Sequence, residues 1–420
     1  MKTKTVYQCQ NCGATASKWM GQCLSCGAWN TLVEAVLSDS TDSRKRFSGT
    51  SKFGSGIKNL GSVELEQQDR LSTGLKELDR VLGGGLVAGS VVLLGGDPGI
   101  GKTTLLLQSL IAVAKIGALD TLYVSGEESA SQLAIRAKRL GLELEHLDIL
   151  TETDIDSMIA ETKTVKPSVL VVDSIQTSYS DILQSPPGSV AQVRECASRL
   201  VSFAKSNGTA IFLVGHVTKD GSIAGPRVLE HMVDTTLYFE GESDGAYRMI
   251  RAIKNRFGPV NELGVFAMTD HGLREVTNPS AILLSRHEEP VPGSVVMVTR
   301  EGTRPMLVEV QALVNESQLG NPRRVTVGLD QNRLSMLLAV LNRHCSVNTG
   351  GSDVFANIVG GVRVSETGAD LAIAIAVASS LYDRALRADM VVFGEIGLAG
   401  EIRPVIGGTE RLKEASKHGF

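Results

Sequence analysis

The sequence predicts an α/β protein whose central sheet is mainly parallel. Between residues 71 and 278, apolar runs of strand length alternate with helical segments. Gly-rich or polar segments follow the ends of those runs, where α/β sheets place their ligands. One such segment has the pattern of a phosphate-binding loop, between a strand and a helix. These observations predict a nucleotide site at the carboxyl edge of the sheet.

Length and composition limit the class of protein. A chain of 420 residues is long enough for two or three domains. It has 42 Lys and Arg against 46 Asp and Glu, a net charge of -4, so nucleic acid would have to bind in a local groove. No apolar run of about 18 residues predicts a membrane span. No apolar segment of the secretory type follows the N-terminus, so we expect a cytoplasmic protein without membrane contact.

Residues 1–30 are expected to form a zinc module. Two C-x-x-C pairs, each followed by glycine, provide four thiolates for a closed tetrahedral site. The predicted ligands are Cys9, Cys12, Cys23 and Cys26. Two redox dithiols are the alternative, although no thioredoxin-like pattern surrounds the pairs. Trp19 and Trp29 would either cover this site or offer a stacking surface, and covering is the more typical role. Cys196 lies in a helical run and is expected to be a small buried hydrophobic residue.

Four domains and segments are predicted along the chain. After the zinc module, residues 31–70 are rich in Ser, Gly, Thr and Asp, a composition typical of a linker. Residues 71–278 form the nucleotide-binding domain. Residues 279–420 again mix strand and helix patterns and form a second α/β domain.

The phosphate loop has the form G-x-x-x-x-G-K-T. Its backbone N–H groups and the following helix N-terminus favour phosphate oxygens. Lys102 would reach the β and γ phosphates of ATP, and the Thr103 hydroxyl would bind magnesium. The residues expected to contact ATP are Gly96, Asp97, Pro98, Gly99, Ile100, Gly101, Lys102, Thr103 and Thr104.

Polar residues at the ends of three later strands would complete this site. Asp173 ends an apolar run and is expected to hold magnesium opposite Thr103. Glu127 follows another strand and is the preferred candidate to activate water, with Glu128 as its rival. An exposed acid at a helix N-terminus is the simpler interpretation of either glutamate. His216 would sense the γ-phosphate or serve as a hydrogen-bonded structural histidine.

The segment at residues 254–258, with the sequence KNRFG, places two cations at a strand end beyond the ATP-binding half. Lys254 and Arg256 could act on the nucleotide of a neighbouring subunit, as an arginine finger does. That role requires a homo-oligomer.

The chain resembles the bacterial RadA (Sms) family of DNA-repair proteins, within the RecA-like ATPase superfamily. The resemblance rests on the four-cysteine knuckle and on the sequences GDPGIGKTT, VSGEES, VVDSIQ, GHVTKDGSIAGPRVLEH and KNRFG, and it covers essentially the whole chain. It implies a hexameric ring that hydrolyses ATP and translocates on single-stranded DNA, promoting branch migration in recombinational repair. It also implies branched DNA and a RecA-type recombinase as partners.

The resemblance assigns DNA contacts to two loops, residues 177–189 and 217–228. Lys219 and Arg227 are then the candidates for phosphate contacts, with ordinary solvated loop charges as the alternative.

The second domain resembles the proteolytic domain of Lon, which uses a Ser-Lys dyad. The resemblance places Ala369 at the nucleophile and Glu410 at the lysine, so it implies a domain without protease activity. Family members continue through a further strand and helix, so the resemblance implies a chain that stops short of the family's usual length. A Lon-type protease and a KaiC-like signalling ATPase are the alternative functions.

Overall fold

The computed structural model describes residues 4–9, 15–24, 27–37, 69–117, 119–143, 147–216, 228–241, 245–284, 289–318 and 320–420. The chain divides into two compact units, residues 1–275 and 276–420. None of the described helices is both long and apolar enough to cross a membrane.

The N-terminal module contains a small antiparallel sheet in the order β2-β1-β3. Its strands are β1 (Lys4–Cys9), β2 (Thr15–Ala16) and β3 (Leu32–Leu37). Cys9 and Cys23 are buried and pack in one cluster with Leu32. The prediction of a linker from residue 31 is therefore wrong for residues 32–37. Their backbone pairs along the whole of β1, a long-range contact that local composition does not reveal.

The two tryptophans of this module do not cover its core. Trp19 is 56% exposed and Trp29 is 69% exposed. Tyr7, Ala16 and Met20 pack instead against the buried cluster of Cys9, Cys23 and Leu32, so among the described residues the expected core cover is wrong.

The remainder of the first unit is a three-layer α/β domain. In chain order its elements are β4 (Arg70–Leu71), α1 (Lys76–Leu82), β5 (Leu86–Val87), β6 (Val91–Gly96), α2 (Lys102–Gly117), β7 (Thr121–Ser125), α3 (Ala130–Arg139), β8 (Asp148–Thr151), α4 (Ile155–Val165), β9 (Val169–Asp173), α5 (Val190–Asn207), β10 (Ala210–His216), α6 (Val228–Met232), β11 (Thr235–Glu240), β12 (Tyr247–Asn255), β13 (Leu263–Thr269) and β14 (Gly272–Glu275).

The central sheet has nine strands in the order β14-β13-β12-β11-β6-β10-β9-β7-β8. Strands β11, β6, β10, β9, β7 and β8 are parallel, and β12, β13 and β14 extend the sheet antiparallel. The predicted mainly parallel sheet is confirmed. Parallel pairing places the carboxyl ends of the central strands at one edge.

Apolar side chains on both faces of the sheet bury it between helices, as expected for parallel strands. Val92 and Leu94 of β6 point into the cluster formed with α1, α2 and α3. Val91 and Leu93 point into the opposite cluster, with α4 and α5. Cys196 of α5 is fully buried there, and burial raises the pKa of its thiol to about 12. The expectation of a small buried hydrophobic residue is confirmed.

The second unit folds around a five-stranded sheet in the order β17-β18-β16-β15-β19. In chain order its elements are α7 (Ser280–Leu283), β15 (Ser294–Glu301), β16 (Arg304–Glu316), β17 (Arg324–Val327), α8 (Gln331–Cys345), β18 (Ser352–Ile358), a 3₁₀ turn (Thr367–Ala369), α9 (Asp370–Leu381), β19 (Val391–Val392), β20 (Glu395–Ile396), β21 (Ile402–Arg403) and α10 (Gly408–Lys417).

An ion pair between a buried arginine and a partly buried glutamate joins three parts of this unit. Arg411 of α10 is 1% exposed and binds Glu366 through both terminal nitrogens, at 2.9 and 2.5 Å. Arg411 also donates to the Val298 carbonyl of β15, while Glu366 accepts from the Thr299 hydroxyl and the Arg300 amide. The pair therefore anchors α10 and the turn before α9 to β15.

Replacing Glu366 by alanine should destabilise the second unit by about 3 kcal/mol, because a buried guanidinium loses its countercharge. Urea unfolding of the full chain would measure the change. Hydrogen exchange of peptides from residues 276–420 would locate it. Arg387→Ala is the control, since the Arg387–Asp389 pair is exposed, and it should change stability little. Equal stability of Glu366→Ala and the control would contradict a structural role for the pair.

Candidate nucleotide-binding site

The phosphate loop joins β6 to α2 at the carboxyl edge of the central sheet. Two of its glycines are required by the backbone. Gly96 has φ 155°, and a Cβ there would lie 2.8 Å from the Phe239 Cβ. Gly101 has φ 119°, in the region that favours glycine, directly before the first residue of α2. The backbone conformation of the loop therefore requires these glycines, whether or not a ligand is bound.

Lys102 is held inside the loop. Its side chain is 5% exposed, and Nζ donates to the carbonyl oxygens of Gly96 at 2.7 Å and Asp97 at 2.9 Å. Burial lowers the pKa of Lys102, while the charges of Asp173, Glu127 and Asp97 oppose that shift. The ammonium is thus placed where a bound phosphate chain would meet it.

Asp173 connects three elements at the same edge. Its Oδ2 accepts from the Thr103 hydroxyl at 3.0 Å and from the Tyr123 hydroxyl at 2.5 Å. The strand register explains why Tyr123 and Asp173 lie close together, since Ser125 at the end of β7 pairs with Asp173 at the end of β9. The hydroxyl and carboxylate oxygens of Thr103 and Asp173 are donors that suit Mg²⁺. Sequence reasoning missed Tyr123, whose signal was a polar residue in the middle of an apolar strand.

Tyr123 remains a donor over the working pH range. Burial raises the pKa of its hydroxyl well above the ordinary value, and the neighbouring Asp173 charge adds to the shift. The hydroxyl therefore keeps its proton and donates a hydrogen bond to the carboxylate.

The two candidate glutamates after β7 have different partners. Glu127 is exposed, and its Oε1 accepts from the Ser174 hydroxyl at 2.5 Å. Glu128 forms an ion pair of 2.6 Å with Arg136 on α3. Glu127 thus lies beside the residue that follows Asp173, whereas Glu128 is engaged by its own helix. Sequence reasoning gave no role to Ser174, although this residue lies within the VVDSIQ sequence that supports the family resemblance.

His216 ends β10, and its backbone pairs with Gly96, the first residue of the phosphate loop. Its side chain is outside the described part of the structure, so the sensor role stays a prediction.

Lys254 and Arg256 lie at the opposite edge of the sheet, where the parallel strands begin. In β12, Lys254 pairs with Thr236 near the start of β11, away from the carboxyl ends of the parallel strands. Lys254 Nζ donates to the carbonyl oxygens of Glu230 and Val233, at 2.5 and 2.7 Å. Arg256 forms an ion pair of 3.0 Å with Asp234. Within one chain, the structure does not bring these cations to the phosphate loop.

Some predicted site residues lie outside the described residues. These are Cys12, Cys26, Lys219 and Arg227. The other two cysteines, Cys9 and Cys23, are buried together, as two ligands of one ion would be.

The parallel sheet, the phosphate loop and the Thr103–Asp173 pair define a P-loop ATPase of the RecA-like class. Sequence models of three families match the chain. Residues 61–222 match the family described as "AAA domain". Residues 7–34 match "Rubredoxin metal binding domain", and residues 351–420 match "Subunit ChlI of Mg-chelatase". A zinc ribbon, an ATPase domain and a ChlI/Lon-like domain therefore follow one another, as predicted.

The chain belongs to the RadA family of DNA repair proteins. It is 62% identical to DNA repair protein RadA of Pseudomonas aeruginosa over 419 residues, which cover 100% of this chain and 92% of the relative. It is 55% identical to that of Escherichia coli, covering 99% and 91% of the two chains. It is 48% identical to that of Bacillus subtilis, covering 100% and 92%. The predicted family is confirmed.

A solved structure of a KaiC-like protein from Pyrococcus horikoshii aligns with a TM-score of 0.42 and 20% identity. It covers 50% of this chain and 99% of that one. A likeness this distant carries no weight for function.

Proposed function

We propose that this protein is an ATP-driven motor that translocates on single-stranded DNA and promotes branch migration of recombination intermediates. The observation that carries the proposal is the meeting of Lys102, Thr103 and Asp173 at one sheet edge. Membership of a family whose relatives are named DNA repair proteins supports DNA as the substrate.

ATP hydrolysis would use residues from three strand ends. Residues 96–104 would hold the phosphates through backbone N–H groups, and Lys102 would neutralise their charge. Thr103 and Asp173 would hold magnesium, which supplies charge stabilisation of the phosphoryl group. Glu127 would orient and deprotonate the attacking water. The Ser174 hydroxyl, hydrogen-bonded to Glu127, would fix the direction of that carboxylate.

The site would be shared between subunits of a homo-oligomer, a hexameric ring by family resemblance. Lys254 and Arg256 are far from their own phosphate loop along the strands, so any contact they make with ATP must be with that of a neighbour. The exposed guanidinium of Arg256, 52% accessible, is compatible with reaching another subunit. Magnesium and this oligomer are both part of the proposal.

We assign the DNA contacts to two segments that follow β9 and β10 in the sequence, residues 177–189 and 217–228. Residues 177–189 contain no Lys or Arg, so phosphate contacts would come from residues 217–228, which include Lys219 and Arg227. The four cysteines at positions 9, 12, 23 and 26 would bind zinc, and a RecA-type recombinase is the proposed protein partner.

The second unit would support assembly without proteolysis. Ala369 is buried in the 3₁₀ turn and carries no nucleophile. Glu410 is exposed on α10 and has no amine to act as a base. The two positions that the resemblance assigns to a Lon-type dyad therefore carry residues that could not perform its chemistry.

DNA-stimulated ATP turnover and branch migration of a three-stranded DNA junction test the function together. We expect single-stranded DNA to raise turnover and the junction to be resolved only with ATP. DNA affinity should fall with added salt, on the order of 10³-fold between 50 and 200 mM if about six phosphates are contacted. A rate of ATP turnover that does not change when DNA is added would favour a KaiC-like signalling ATPase. ATP-dependent cleavage of casein would favour a protease. Either result would refute the proposal.

A further inference from the structure

Tyr123 is a buried polar side chain to which the roles above give no task. It lies in the middle of β7, every residue of which is buried, and is itself 0% exposed. Its ring packs in the apolar cluster that contains Leu105 of α2 and Val171 of β9. Phenylalanine would fill nearly the same space. The distinctive contribution of tyrosine is the hydroxyl, and a hydroxyl buried this deeply requires a hydrogen-bond partner.

The partner of that hydroxyl is the carboxylate assigned to magnesium. Tyr123 pairs with Val171, and Ser125 pairs with Asp173, so Tyr123 lies two residues below the sheet edge. From there its hydroxyl donates to Asp173 Oδ2 at 2.5 Å. The donor approaches from within the sheet core.

A second donor reaches the same oxygen from the helix side. Thr103 Oγ1, in the first turn of α2, lies 3.0 Å from Asp173 Oδ2. One carboxylate oxygen is thus fixed from two directions, by β7 and by α2. Asp173 itself is 9% exposed, so water competes little for this position.

We propose that Tyr123 is a positioning residue for magnesium, holding the Asp173 carboxylate in the orientation that binds the ion together with ATP. The inference rests on the proposed ATP site. Hydrogen-bond partners behind a metal ligand orient it, and their removal typically lowers metal affinity about 10- to 100-fold.

A purely structural tyrosine would behave differently. If the hydrogen bond to Asp173 only compensated for burying the hydroxyl, Tyr123→Phe would alter the stability of the fold. The magnesium dependence of nucleotide binding would stay unchanged. If it positions Asp173, the variant should keep its fold and its magnesium-free nucleotide binding, yet need more magnesium. The two roles therefore separate in a binding measurement that does not depend on turnover.

The test uses the full chain and a fluorescent ATP analogue, N-methylanthraniloyl-ATP. Its affinity is measured in EDTA and then across a magnesium chloride titration. For Tyr123→Phe we expect unchanged affinity in EDTA and a half-saturating magnesium concentration raised about 10- to 100-fold. Tyr238→Phe is the matched control, because its hydroxyl also faces a carboxylate, Glu230 at 3.3 Å, away from Asp173. The control should follow the wild type, and thermal melting would verify the fold of both.

Three outcomes would overturn the inference. A magnesium titration of Tyr123→Phe that matches the wild type would remove any positioning role. An equal loss of affinity in EDTA and in magnesium would show a general packing defect. Wild-type binding that is indifferent to magnesium would refute the proposed ATP site itself, which distinguishes that failure from the other two.

Discussion

Replacing Lys102 by alanine is expected to lower ATP turnover at least about 100-fold, the usual loss when a preorganised charge is removed from a reacting centre. The buried ammonium lies within the phosphate loop, held by the carbonyl oxygens of Gly96 and Asp97. Alanine removes the cation that would face the β and γ phosphates. Phosphate release at saturating ATP and DNA measures the effect.

The fold should survive this change, because the glycine geometry and the α2 core do not depend on the ammonium. Lys115→Ala is the matched control. Lys115 lies on the same helix but is 43% exposed, and it pairs with Glu143 at the surface. The control should turn over ATP at the wild-type rate. Normal turnover in Lys102→Ala would show that the loop does not bind the reacting phosphates.

Replacing Glu127 by glutamine is expected to lower turnover about 10²- to 10⁴-fold, the range that a positioned general base contributes. Glutamine keeps the size of the side chain and can still accept from Ser174, so ATP binding should remain. Rapid-quench measurement of the hydrolysis step, alongside equilibrium ATP binding, separates the two effects.

Glu128→Gln provides the comparison that decides between the two acids. Glu128 is engaged by Arg136, so its loss should weaken the start of α3 and reduce turnover only slightly. A severe loss of turnover in Glu128→Gln with a mild loss in Glu127→Gln would show that Glu128, and not Glu127, activates the water.

The parts of the fold that local sequence controls could be predicted. The sequence G-x-x-x-x-G-K-T carries its own backbone requirement, and the structure places Gly96 and Gly101 in conformations that glycine permits. Asp173 at the end of β9 and Glu127 just after β7 lie at the same edge because parallel pairing aligns the carboxyl ends of these apolar strands. The family followed from motifs spread over the whole chain.

The parts that depend on pairing between distant segments could not be predicted. Tyr123 looked like one more core residue, since its acceptor is on another strand whose register is set only by the folded sheet. Residues 32–37 looked like linker because their partner, β1 (Lys4–Cys9), is distant in sequence. The Glu366–Arg411 pair joins segments that are far apart in sequence and carry no shared motif.

The position of Lys254 and Arg256 at the edge where the parallel strands begin gives each subunit two unlike ends. A two-fold dimer uses the same surface patch on both subunits, and the two opposite edges of the sheet do not belong to one patch. The proposed contact between the cations of one subunit and the nucleotide of the next would instead be heterologous, and it would close only by repeating around a cycle. Each nucleotide would then depend on the cations of one particular neighbour. A subunit that lacked these cations would prevent hydrolysis at the adjacent subunit's site, although its own phosphate loop stayed intact.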